Sequence, residues 1–314
     1  MDLRARLLAV APVGGRQFAA FRIAFGLYLA LHFAHLIPWG RELFSAEGVL
    51  ADAALSPTYG VLPNVLVWWD SPAAVTAFLS TLVALSALFA LGVARRASAL
   101  MLWYGWACLF NRNVLISNPS IPYVGLLLLL TTLVPPTEPW RAAGRRRRGE
   151  GREPFYMPAW VFATAWVLLA VGYTFSGVVK LASPSWVDGT AFWHVVNNPL
   201  ARTGPIRDLM LALPMWVFRL LTWKALALEV LFLPLALWAA ARPLAWLALV
   251  GMHLGIITLV SFADLSAGML MVHAFTFDPR WLTTARAVWG RAREWRRPAA
   301  GPVVVQERAA RDAA

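Results

Sequence analysis

The chain has 314 residues, 60% of them hydrophobic and 14% charged, with a net charge of +12. A soluble domain is about 45–50% apolar and about 25% charged, so this chain has too little polar surface to cover itself in water. The positive charge does not point to nucleic acid, because the arginines gather at 145–148 and 280–297, between or after apolar blocks, as membrane orientation requires.

Residues 1–16 read as a retained cytoplasmic segment, since Arg4 and Arg6 precede only a short apolar patch. A span needs about 20 mostly apolar residues. Candidate spans occupy 17–39, 72–93, 97–110 and 121–134, the second closed by Arg95 and Arg96 and the third running into Asn111-Arg112-Asn113. The third and fourth are short and imply tilting or a thinned bilayer. Cys108 lies in the third, and a single cysteine excludes an internal disulfide and a cysteine metal cluster. A basic linker at 140–153 is too rich in arginine and glycine to pack.

The fifth span covers 158–181 and begins with Pro158, a favourable first-turn residue. A polar loop follows at 182–207, then candidate spans at 208–223, 225–241 and 243–262. The last apolar piece, 265–277, is short for a crossing and suits a re-entrant or buried half-helix. Residues 280–297 place Trp281, Ala285 and Val288 on one helical face and Arg286, Arg293 and Arg297 on another, the pattern of an interfacial amphipathic helix. A tail at 298–314 is expected to be disordered. The expected architecture is therefore all-α, a polytopic bundle of about eight or nine membrane helices in one domain, 17–279. Arginine placement predicts a cytoplasmic N-terminus in a bacterial-type inner membrane, with the 182–207 loop outside.

Ionisable groups inside membrane segments are costly, so each is a candidate for function. Tyr173, Ser176, Gly177 and Lys180 follow i, i+3, i+4, i+7 spacing and share one face. Only Lys180 and Lys224 are lysines among 28 lysines and arginines. Where charge alone suffices this chain uses arginine; lysine can give up its proton when desolvated, and arginine effectively cannot. Against that, a lysine at a helix end commonly snorkels to the interface. Glu229 and His253 can pair with Lys180 or with each other. His273 and Asp264 belong to the short last piece, with Asp264 expected as a helix cap. Arg22 is expected to snorkel or to hold a neighbour's carbonyls. His32 and His35, one turn apart at the outer end of the first span, suit an interfacial role better than metal binding, and no metal site is expected.

The block Tyr173-Thr-Phe-Ser176-Gly177-Val-Val-Lys180-Leu181, followed by Trp186-Val-Asp188-Gly189, resembles the HTTM (horizontally transferred transmembrane) family, the membrane domain shared with vitamin K-dependent γ-carboxylases. Phe21-Arg22 with Gly26, Asn111-Arg112-Asn113, Glu229, and His253 with Gly268-Met269 extend the resemblance over roughly residues 16–280. It implies that Lys180 is a base acting on a reduced, vitamin K-like quinone, in a pocket with Tyr173, Ser176, Glu229, His253, Trp186 and Asp188. The substrate implied is a secreted peptide or a lipid. The carboxylases carry a functional histidine between the third and fourth helices, whereas here none occurs between His35 and His194. The resemblance also implies an alternative, a non-catalytic membrane factor for maturation or export of a secreted peptide. A transporter is disfavoured by the lack of an inverted repeat.

Overall fold

A computed structural model describes residues 12–140 and 155–295, which are helical without any strand. Most of the basic linker, the 298–314 tail and the side chains of residues 288 and 290–295 lie outside the described residues.

Helix α1 (Gly15–Leu36) runs into a short turn and α2 (Gly40–Phe44). After α3 (Val65–Trp68), α4 (Pro72–Leu91) starts where the Ser71 hydroxyl accepts the Ala74 N–H and Pro72 occupies the first turn. It stops at Gly92, whose φ of 72° suits glycine; Gly92 N–H bonds Phe89 O and Val93 N–H bonds Leu88 O, a Schellman end. Helices α5 (Arg95–Arg112), α6 (Ile121–Leu133) and α7 (Ala159–Lys180) follow. The expected polar loop is partly helical, as α8 (Pro184–Val187), α9 (Ala191–Asn197) and α10 (Pro205–Leu211). Then come α11 (Met215–Val230), α12 (Phe232–Leu237), α13 (Arg242–Leu259) and α14 (Asp264–Thr276). The two spans expected at 208–223 and 225–241 are instead divided at Pro214 and Leu231, because α11 continues through Trp223 and Lys224 without a break.

Among the described residues, four helical stretches are long and apolar enough to cross a bilayer: Gly15–Phe44, Pro72–Leu91, Ala159–Lys180 and Arg242–Leu259. A fifth is possible if α10 and α11, bent by 106°, make one span. Their outward faces carry Leu31, Val167, Phe175, Leu244 and Leu247, all exposed. Contiguous apolar surface on closed helices is what lipid tolerates, so the bilayer is this bundle's environment. Inside, α1 packs on α4, α5 on α6 and α7 on α11. Short α14 sits at the centre, against α1, α6, α7 and α13. The residues 279–295 form a separate unit with Asp278, in which helix α15 (Arg280–Trp295) begins beside an Arg280–Asp278 pair, Nη2 to Oδ2 2.6 Å.

Two arginines are interior: Arg95, read from sequence as closing a span, and Arg22, which holds a neighbour's carbonyls as one of its two expected roles. Arg22 and Arg95 both aim Nε at Glu138 Oε1, at 3.5 and 3.0 Å, and all three side chains are fully buried. Arg22 also donates to Phe89 O at 3.0 Å, to Ala90 O and to Trp140 O at 2.7 Å. Arg95 donates to Thr131 O and, at 2.5 Å, to Val134 O. The cluster thus joins α1, the end of α4, the start of α5 and the end of α6. Removing one member of a buried charge cluster strands the others and costs about 3–5 kcal/mol. Glu138→Ala should therefore lower the apparent Tm of the purified protein strongly, and an unchanged melting curve would show that the cluster is not structural.

Candidate functional site

The stripe on α7 forms as its spacing predicts, and one glycine determines what it meets. A Cβ on Gly177 would lie 2.5 Å from Val230 N and 2.9 Å from the Glu229 carbonyl carbon, so α7 and α11 touch backbone to backbone there. That contact brings Glu229, which is buried, against the end of α7. Lys180 Nζ donates to Glu229 Oε2 in an ion pair and to Ser176 Oγ at 3.2 Å. The Trp186 ring lies over the amine, 4.6 Å from Nζ to its centroid. The lysine side chain is 24% exposed and the glutamate 5%, so the pair has a sealed side and an open one.

Seven residues earlier on the same face, roughly 10 Å along the helix, a second polar group is enclosed by α13 and α14. Tyr173 Oη lies 2.6 Å from His253 Nε2 and 2.8 Å from His273 Nε2. His253 Nδ1 reaches Ser266 Oγ at 3.1 Å, while His273 Nδ1 is buried with no partner among the described residues. Phe232 packs edge-on against Tyr173, centroids 5.2 Å apart. Lys180, Ser176, Glu229 and Trp186 therefore come together, whereas Tyr173 and His253 join a different cluster and His253 does not pair with Lys180.

Asp188 stands apart from both. It is exposed, and its carboxylate accepts the Thr190 N–H at 2.8 Å and the Thr190 hydroxyl at 2.6 Å, bonds that hold it below the usual carboxylate range. It shapes the turn into α9. Gly189 beside it has φ of 85° and packs on Arg219, and Trp223 Nε1 donates to Val187 O at 3.0 Å, so the Trp-x-Asp-Gly block fixes the segment that carries Trp186.

Asp264 is no helix cap. Its Oδ1 takes His32 Nδ1 at 2.7 Å and the Tyr28 hydroxyl at 3.1 Å, and its Oδ2 takes Asn118 Nδ2 at 3.0 Å. The role of His273 and Ser266 beside Tyr173 was not legible, because it depends on α14 being central. Their i, i+7 spacing on one face of a short apolar helix is the only available signal.

Gly177→Ala should push α11 from α7 and lower the apparent Tm, by about 1–3 kcal/mol of strain. Gly255→Ala, where an added Cβ meets open space, should leave it unchanged. Equal melting of the two variants would rule out the backbone contact.

No curated protein and no solved structure matches the chain. The family model of the HTTM domain matches residues 11–281, nearly the whole described bundle, and so this chain is an integral membrane protein that belongs to the HTTM domain family.

Proposed function

We propose that Lys180, with Glu229 as its proton partner, is the base in a carboxylase-like, quinone-linked modification of a secreted peptide or lipid. What supports this reading above all is the environment of one of the chain's two lysines: a largely shielded amine held between a buried carboxylate and an indole ring. That donor set suits a hydroxyl-bearing aromatic ring, with Trp186 offering a flat apolar face and the pair offering a proton acceptor. A reduced quinone, when bound, would supply the strongly basic oxygen chemistry that no side chain here provides.

The work of the protein's own residues is proton placement. An ammonium beside a carboxylate holds its proton more firmly than one alone. For Lys180 to accept a proton it first has to pass its own on, and its ion-pair partner Glu229 Oε2 is the acceptor beside it. Ser176 Oγ keeps the amine on the α7 stripe during the exchange. In this reading the bundle has the eight or nine membrane helices expected, with α5, α6 and α14 as short members and α15 on the bilayer surface. The N-terminus is cytoplasmic, and Lys180 faces the outer side of a bacterial-type inner membrane.

A second reading, a non-catalytic factor for maturation or export of a secreted peptide, is favoured by the same pair seen as a clasp between α7 and α11. Lys180→Arg separates the two, since it keeps the charge but cannot release a proton. With a glutamate-rich peptide, a reduced quinone and labelled carbon dioxide, the variant should lose at least about 100-fold in incorporation at an unchanged Tm. An arginine variant as active as the wild type would remove the catalytic role and leave the clasp.

A further inference from the structure

A cavity of about 660 Å³ opens beside the outer end of α1, away from Lys180. Its walls are apolar and aromatic, with Trp39, Trp106 and Phe262 among them. Leu31 and Trp39 are themselves well exposed, so the cavity opens along the lipid-facing side of the bundle. Its polar lining residues are Tyr28, His32, His35, Ser261 and Asp264, of which Tyr28 and His32 meet Asp264 directly. Asn118 from behind completes three donors to Asp264, the arrangement that favours a carboxylate over a carboxylic acid.

Two electrostatic facts limit the occupant. Among the described residues no lysine or arginine lines the cavity, although the chain carries a net charge of +12. An anionic head group would meet the Asp264 charge with no lysine or arginine in the lining to balance it. His32 gives its Nδ1 side to Asp264, and its Nε2 has no hydrogen-bond partner among the described residues; in the neutral ring that nitrogen is an acceptor. The site therefore presents one carboxylate, acceptor nitrogens of the neutral His32 and His35 rings, and aromatic walls that attract cations.

We propose that this cavity binds an amphiphile through a protonated primary amine, with Asp264 supplying the charge, His32 Nε2 an acceptor, and the aromatic walls enclosing the apolar body. The ligand reaches it sideways from the outer leaflet, either as a long-chain amine or as the amino head group of a membrane lipid.

The full-length protein in phosphatidylcholine nanodiscs, titrated at pH 8 with dodecylamine, dodecanol and dodecanoate against empty nanodiscs, tests this. Dodecylamine should bind at least about tenfold more tightly than dodecanol, as expected for a hydrogen bond to a charged group, and dodecanoate most weakly. Asp264→Asn should bring amine and alcohol within about threefold of each other. Equal affinities for the three probes in the wild type, or a preference for dodecanoate, would overturn the proposal whether or not the variant folds. So would a folded Asp264→Asn protein that keeps its amine preference, or saturable binding of a peptide N-terminus in place of the amines. Nanodiscs containing phosphatidylethanolamine distinguish the sources: loss of dodecylamine binding there assigns the site to the lipid head group, and unchanged binding assigns it to the free amine.

Discussion

The bundle depends on one carboxylate shared by two guanidinium groups in its interior. Glu138 lies after α6, yet it is held by Arg22 from α1 and Arg95 from α5, and these arginines also take up carbonyls at the ends of α4 and α6. In a bilayer a helix end cannot rely on water for its last carbonyls. Here the guanidinium groups fill that role at two helix ends, those of α4 and α6. Arg112 takes up carbonyls in the connection after α2, donating to Leu50 O at 2.7 Å and to Ser45 O at 3.1 Å. Three of the most buried side chains among the described residues are thus arginines.

With those ends fixed, the opposite half is free to hold chemistry. Three polar groups occupy it: the Lys180–Glu229 pair, the Tyr173–His253–His273 group and the Asp264 group. They are not one pocket. The first two share α7, and the last two share the first turns of α14, where Asp264 and Ser266 are two residues apart. A central helix of 13 residues, about 20 Å long, carries polar residues towards α1 on one side and α7 on the other.

The sequence made the membrane environment, the four longest spans and the Tyr173–Lys180 face legible, because each rests on local periodicity or on residue counts. The pairing of Glu229 with Lys180 was one of several open partners. It was settled by Gly177, whose missing side chain lets two backbones touch. Asp264 was misread because a carboxylate at a helix start has the same local signature whether it caps that helix or reaches across to His32 and Asn118. Arg95 looked like a loop charge, because nothing in sequence shows that Glu138, 43 positions later, folds back onto it. Long-range placement of this kind follows from packing, and a hydropathy pattern does not encode it.

The Tyr173 group also has a direction. A phenol carries one proton, yet its oxygen lies against two imidazole nitrogens, so one histidine has to donate to it and the other accept from it. The buried Nδ1 of His273, without a partner among the described residues, decides which, since an orphan N–H in the interior is harder to accommodate than an orphan lone pair. His273 therefore keeps its proton on Nε2 and donates to Tyr173, which donates to His253, whose Nδ1–H in turn reaches Ser266. The four side chains form a polarised wire running from α14 through α7 and α13 and back to α14. Reversing it would leave an unsolvated N–H at its far end, so the tautomers of both histidines are fixed by a bond that one of them does not make.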